Sequence, residues 1–458
     1  MRSFDVFDTL ITRRCIDGEA IWRQMDADLE IPNFFFHRKN ANARGVSLRN
    51  IYQHLVNLQV IDPVMADALC SLEVAYEQEN AIPIQTNINE VRHGDALISD
   101  MYLSAADILK LVRSVGMDKQ VTVYQSNNGK HTGSFWRSVS GVFKPELHLG
   151  DNLQSDVTQA QQHGINGVHY RRPQLTSIEH DIMNIVKAPL LAELVREVRF
   201  RRDRMDSHTD VFDLANQLNL PWLFFASEMI YRKLKNVRRP VFLGRDCQLL
   251  YKIYNTFYDV DSYYLPFSRE VALSQPKEAA AYLKSQAPEN AIYIDVSSTG
   301  RTWEVMQHTG SFVVLILIFS DQYHYTFTKP NPPATLSYLS TTTTFGKTNK
   351  LIEIFNCADH GRLQKITMAG DLPIAQYAPH DMKEQLVESI HQPVNIALAV
   401  KKHYMNIHAE LKKLSDDELF KWFSKFQVAL AEHKEIDDKF KEYYKNDELY
   451  DESLKRFR

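Results

Sequence analysis

Asp5 closes an apolar run in FDVFDTLITR, so its carboxylate stands at the carboxyl end of a strand, where parallel α/β sheets place ligands. Ser99 ends a second run, ALISDMYLS, and offers a hydroxyl and a helix N-terminus to an anion. Lys130, in SNNGKHTGSFW, supplies a point charge able to neutralise a phosphoryl oxygen. HLGDNLQSDV then brings Asp151 and Asp156, paired carboxylates of the kind that suit a hard cation holding several waters, which is Mg²⁺ chemistry. A second set follows in AIYIDVSSTGRTWEVM, where Asp295 ends a strand and can accept from ribose hydroxyls. The small-residue loop after it, with Ser298, Thr299, Gly300, Arg301 and Thr302, would aim N–H groups and hydroxyls at one anion. Gly300 there permits the positive φ of a tight turn. Upstream, PVFLGRDCQLLYKIY puts Gly244, Arg245 and Asp246 at a strand–helix turn, with Arg245 suited to a diphosphate.

Two sets of alternating elements must position these residues. The runs SFDVF (3–7), ALIS (96–99), VTVYQ (121–125), LHLGD (147–151) and GVHY (167–170) have helical patterns between the last four, which predicts βαβ units and a parallel sheet. Residues 14–90 read as a helical insertion placed to cover the strand ends. A second alternation comprises PVFLG (240–244), YYLPFS (263–268), AIYIDV (291–296) and FVVLILIF (312–319). The polar stretch 328–350, with its prolines, looks loop-like, and Glu353, Asp359 and His360 in LIEIFNCADHG read as a satisfied structural cluster. From 382 onward the pattern is helical and increasingly charged, as a solvated face or frayed tail would be, with a partner-binding helix as the lesser reading. The expected architecture is α/β: two Rossmann-like parallel-sheet domains (1–178 and 236–378), joined by helices at 179–235 and followed by a helical region at 379–458.

The first four motifs, in this order, resemble the haloacid dehalogenase superfamily over about the first 170 residues. The family's DxDxT motif falls on Asp5, Phe7 and Thr9, its second motif on Ser99, its third on Lys130, and its GDxxxxD motif on Gly150, Asp151 and Asp156. The resemblance implies that Asp5 attacks phosphorus, and that Ser99 and Lys130 hold the transferring group. It also implies Mg²⁺ held by Asp5, the carbonyl of Phe7 and Asp151, with Asp156 supporting the site, and an insertion that selects the substrate. Family phosphatases usually carry a second aspartate two residues after the nucleophile, as proton donor; Phe7 stands there, with Asp8 and Asp100 as substitutes. Asp8, on an extended strand end, is expected to point away. In the insertion, His37, Arg38 and Lys39 read as exposed surface.

The string DVSSTGRT resembles the phosphoribosyl-pyrophosphate loop of type I phosphoribosyltransferases, with Ile294 in place of the first of that family's two acids. The whole layout also resembles a group of bacterial predicted hydrolases with FDxFDT and SDMYL motifs. Together these imply a phosphorylated small-molecule substrate, a nucleotide or sugar phosphate, with phosphoribosyl pyrophosphate or a nucleotide as a second ligand. Bacterial nucleotide metabolism or defence would be the setting. The alternative is a regulatory protein that binds phosphorylated ligands without turnover. A net charge of -4 gives no general nucleic-acid footprint, and the basic segment 196–205 carries interspersed acids that favour a solvated or interdomain helix. Cys15, Cys70, Cys247 and Cys357 are scattered, which fits reduced thiols in the cytoplasm. The most apolar run is too short to span a bilayer, and the first residues do not read as a signal peptide.

Overall fold

A computed structural model describes the chain apart from residues 16–17, 43–45, 140–141, 172–173, 203–207, 235–238, 299, 307, 321–333, 343–346, 371 and 447–458. It divides into two units, Met1–Leu175 with Phe200–Met205, and Thr176–Arg199 with Asp206–Arg458.

In the first unit, β1 (Arg2–Asp5) is followed by a short antiparallel ribbon of β2 (Ile11–Arg13) and β3 (Ala81–Pro83). Then come β4 (Ala96–Asp100), β5 (Thr122–Ser126), β6 (Leu147–Gly150) and β7 (Asn166–His169). The sheet order is β5-β4-β1-β6-β7 and every pairing is parallel. Counted along the chain this is 3-2-1-4-5, so connections leave to opposite sides of β1 and a crevice opens between the ends of β1 and β6.

Four helices, Ala20–Asp28, Phe34–Ala41, Leu48–Asn57 and Pro63–Asn80, fill the insertion between β2 and β3. Ser47 and Asp62 cap two of them by accepting from the N–H groups of Asn50 and Met65. Apolar burial alone does not hold the insertion together. Arg38, expected at the surface, is fully buried and forms a two-pronged ion pair with Glu73 at 2.7 and 2.8 Å. Tyr52 and Trp22 also donate to Glu73, at 2.7 and 3.2 Å, and the Arg38 guanidinium lies 4.4 Å from the Trp22 ring centroid. A charge next to three aromatic residues in sequence gave no sign of the glutamate that lets it be buried.

The second unit contains β8 (Arg239–Leu243), β9 (Tyr263–Leu265), β10 (Ala291–Ser298), β11 (Phe312–Ser320) and β12 (Ala334–Thr342), ordered β12-β11-β10-β8-β9 and all parallel. This is the 2-1-3-4-5 order, with its switch point between β8 and β10. β12 lies in the stretch expected to be loop. Its alternating small and apolar residues pair with β11 over eight positions, and Tyr338 stacks on Phe319 at 5.5 Å. An edge strand beside so apolar a neighbour tolerates many polar residues. A hairpin of β13 (Leu363–Ala369) and β14 (Leu372–Tyr377), turning at Gly370 with φ 65°, was not legible as strand.

The helices before and after this sheet share its core. Leu220–Leu234 is buried all round over its first turns, with Trp222, Leu223, Phe224 and Phe225 all buried. Asp416–Glu432 is not a solvated face: Trp422, Phe423, Phe426 and Leu430 are buried, with Phe423 against Trp222 at 5.3 Å and Phe426 against Phe225 at 5.6 Å. Pro189–Phe200, from the basic segment, buries Leu191, Leu194, Val195 and Val198, and its Arg199 pairs with Glu179 at 2.7 Å. No described helix is long and apolar enough to cross a membrane.

Candidate metal centre and a second cavity

β1 ends at Asp5, and the chain then folds tightly around the carbonyl of Val6, which accepts from the N–H groups of Thr9, Leu10 and Ile11. Asp8 adopts φ 57° in this turn, so the alternation of an extended strand no longer governs it. Its carboxylate therefore reaches the same cavity as Asp5 and accepts from the Thr12 hydroxyl at 2.7 Å. Phe7 also lines this cavity, and the Arg13 guanidinium lies 4.7 Å from the centroid of its ring.

Lys130 is presented by a turn in which Asn128 takes a left-handed conformation. Its buried ammonium donates to Asp5 and Asp156, each at 2.5 Å, and approaches the carbonyl of Ile98 at 3.4 Å. Asp100 holds that turn. It accepts from the Ser126 hydroxyl at 2.6 Å, the Gly129 N–H at 2.9 Å and the His131 N–H at 3.4 Å. Ser99 is buried at the same strand end and lines the cavity.

Asp156 lies on a wide helical turn, Leu153–Thr158, whose N-cap Asn152 accepts from the N–H groups of Gln154 and Ser155. One Asp156 oxygen accepts from Lys130 and from His148 Nε2, the latter at 3.2 Å; the other accepts from the Asn152 N–H at 3.0 Å. His148 in turn contacts the Ser3 hydroxyl at 2.9 Å and packs edge-on against Trp136. Burial pushes the His148 imidazole down to about 4, so at neutral pH it is uncharged, with Nε2–H toward Asp156 and Nδ1 accepting from Ser3. Ser3, His148 and Asn152 form a support that motif matching did not reveal; a polar pair at alternate positions of two buried strands was the available signal.

Asp5, Asp151 and Asp156 each bring an oxygen within 4.8 Å of the others, and three such carboxylates can hold a metal ion. Burial pushes the Asp5 carboxyl up to about 7 against the opposing pull of Lys130. Asp156 is also buried, yet Lys130 and His148 hold it well below the ordinary carboxylate range. The cavity above them measures about 460 Å³, and Asn42, Tyr102, Asn127 and His131 complete a largely polar wall.

Gly150 makes this arrangement possible, because a Cβ there would lie 2.4 Å from Asp156 Cγ. Gly150→Ala is expected to push Asp156 off Lys130 and cost about 1–3 kcal/mol in urea unfolding. Unchanged stability together with unchanged metal binding by titration calorimetry would show that Asp156 is not fixed by this contact.

The second set of residues meets in a separate cavity of about 180 Å³, at the ends of β8 and β10. Arg245, Asp246, Asp295, Ser298 and Thr302 line it; Gly300 takes φ 79° beside them. Thr299 and the Arg301 side chain lie outside the described residues. Arg245, read as a diphosphate ligand, donates to Asp381 at 2.7 Å. Glu353 lines the cavity too, whereas Asp359 and His360 are engaged elsewhere, with Gln248 and Tyr264, each at 2.8 Å. Burial, then the nearness of Asp295 and Glu353, holds the Asp246 carboxyl well above its ordinary range. Burial likewise pushes Asp295 up to about 6, opposed by the Ser298 hydroxyl. No protein-family model matches this chain, and no curated protein matches it significantly.

Proposed function

We infer that the first unit is a metal-dependent phosphohydrolase acting on a small phosphate ester. The observation that carries this reading is the chain Asp5–Lys130–Asp156, with Asp151 beside it, at the switch point of a parallel sheet. Asp5 is the nucleophile: one carboxylate oxygen attacks phosphorus, the ester oxygen leaves, and an aspartyl-phosphate forms that water then cleaves. Lys130, fixed by Asp156, neutralises charge on the equatorial phosphoryl oxygens, and Ser99 donates to one of them. The donor set is all oxygen, which fits Mg²⁺ held by Asp5, Asp151 and the Phe7 carbonyl; the ion would supply further charge neutralisation.

Phe7 cannot carry a proton to the leaving group. Asp100 is committed to three donors in the Lys130 turn, whereas Asp8 directly follows Phe7 in the turn after β1 and lines the cavity beside Asp5. Asp8 is therefore the better proton donor. Mg²⁺-dependent phosphate release from p-nitrophenyl phosphate and a panel of sugar and nucleotide phosphates tests this. Asp5→Asn should abolish release, and Asp8→Asn should slow it about 10²-fold or more. Release by Asp5→Asn equal to that of the parent chain would sink the hydrolase reading. Phe7 at the proton donor's usual place and the engagement of Asp100 favour one second reading, ligand binding without turnover. Tight binding of inorganic phosphate with no release from any ester would establish it.

A further inference from the structure

The insertion between β2 and β3 contributes Asn42 and Val46 to the wall of the Asp5 cavity, so access to Asp5 depends on whether it swings or stands still. Bodies that move against each other meet across polar, transient-type surfaces, whereas a large apolar interface holds them together. Here the boundary is apolar and continuous. Trp22, Ile51 and Leu55 of the insertion belong to the same buried cluster as Val6, Leu97 and Leu103 around the sheet. The insertion helix Pro63–Asn80 also packs against Ala105–Ser114, the helix that follows β4.

A buried polar network crosses the same boundary. Glu77, on Pro63–Asn80 and only 1 % exposed, accepts two bonds of 2.8 Å from Arg13 of β2 and one of 3.2 Å from the Tyr102 hydroxyl. Tyr102 follows β4 and lines the cavity. Its carbonyl accepts from the Leu48 N–H at 2.9 Å, and the Arg38 guanidinium lies 5.1 Å from the centroid of its ring. Three helices of the insertion, carrying Arg38, Leu48 and Glu77, thus converge on one residue of the core. Swinging the insertion away would pull Glu77 off Arg13 and Tyr102 and expose the shared apolar cluster, both costly. The cavity is not sealed by this arrangement, because Asn42, His131 and Asn152 in its wall are exposed.

We propose that the insertion is a fixed wall, not a lid: Glu77 and Tyr102 join it to the sheet as one cooperative body, and the mouth above Asp5 stays open. The consequence for turnover rests on the hydrolase reading: an ester enters a preformed pocket of about 460 Å³, and its leaving group is chosen by fit, with no closing step. Pulsed dipolar EPR on the full chain tests the wall without any turnover. Nitroxides at Val64→Cys on the insertion and Val142→Cys on the core, in a Cys70→Ser background, suit this, since both valines are exposed and the other three cysteines are buried. The free chain should show one narrow distance matching the structure, unchanged within about 2 Å when Mg²⁺ and beryllium fluoride, a mimic of aspartyl-phosphate, are added. A second, longer distance in the free chain, or a shift beyond about 2 Å on addition, overturns the proposal. Beryllium fluoride that fails to bind by calorimetry weakens the hydrolase reading alone, since the free chain's distance still decides the wall. Hydrogen exchange reads the cooperativity: Glu77→Ala should speed exchange in the insertion helices and in β1 and β4 by a common factor of about 10². Faster exchange confined to the insertion would mark it as a separate body and overturn the proposal as well. The EPR measurement does not depend on that variant folding.

Discussion

Lys130→Met should lose most of the first unit's activity and much of its stability, and the stability loss should shrink as the pH falls. The ammonium is the only described cation within 2.5 Å of both Asp5 and Asp156, so its removal leaves two buried carboxylates facing each other. Breaking a buried ion pair from one side costs about 3–5 kcal/mol, and losing one charge from the phosphoryl site costs about 10²–10³-fold in rate. The pH dependence separates charge from packing. Asp5 has its folded pKa raised to about 7 from an ordinary value of 3.8. A raised carboxyl binds protons more readily folded than unfolded, so its contribution is fullest below the unfolded value and is lost as pH rises through the folded one. Without Lys130 the Asp5 carboxyl shifts further up, and protonation relieves its repulsion with Asp156. Urea unfolding at about pH 5 and about pH 8 should therefore show the smaller deficit at the acid end. Equal deficits at both would mean that lost packing, not unpaired charge, dominates.

Glu73→Leu is expected to be the most destabilising change in the helical insertion. It leaves the Arg38 guanidinium buried without its counter-charge and takes the acceptor from Tyr52 and Trp22 as well. The expected loss is about 3–5 kcal/mol. Replacing both partners, Arg38→Met with Glu73→Leu, should return most of that loss, because two apolar side chains of similar volume carry no desolvation cost. Chemical denaturation of the single and double variants decides this. A double variant no more stable than the single one would place the energy in the shape of the pocket around Arg38, not in its charge.

The two sites differ in how much of them could be read from residues alone. Asp5, Ser99, Lys130, Asp151 and Asp156 come from four separate stretches, yet each closes or follows a strand of one parallel sheet, so the order of elements was enough to bring them together. Asp8 was misjudged because a strand alternates side chains only while it remains extended, and the positive φ after Phe7 ends that rule. Arg38 and His148 were opaque for a different reason: their partners, Glu73 and Asp156 with Ser3, are brought in by tertiary packing. β12 failed as a strand because its threonines and serines resemble a loop until β11 supplies a ladder. The C-terminal helices were misread because charge density masked an apolar stripe, Leu419, Trp422, Phe423, Phe426 and Leu430, at helical spacing.

The ribbon of β2 and β3 has a consequence for how the first unit assembles. β1 must pair with β4, and Ser3 meets Ala96 across the insertion. Closing a loop of roughly 90 flexible residues costs about 2 kcal/mol more than closing one of roughly 10. The ribbon removes most of that difference once formed, because Arg13 beside Ala81 and Ile11 beside Pro83 draw the two ends of the insertion together. What the finished sheet records as a long-range contact is then, during folding, a neighbourly one. The insertion can thus act as a clasp on the chain that carries Asp5, shortening the loop that β1 must close to reach β4.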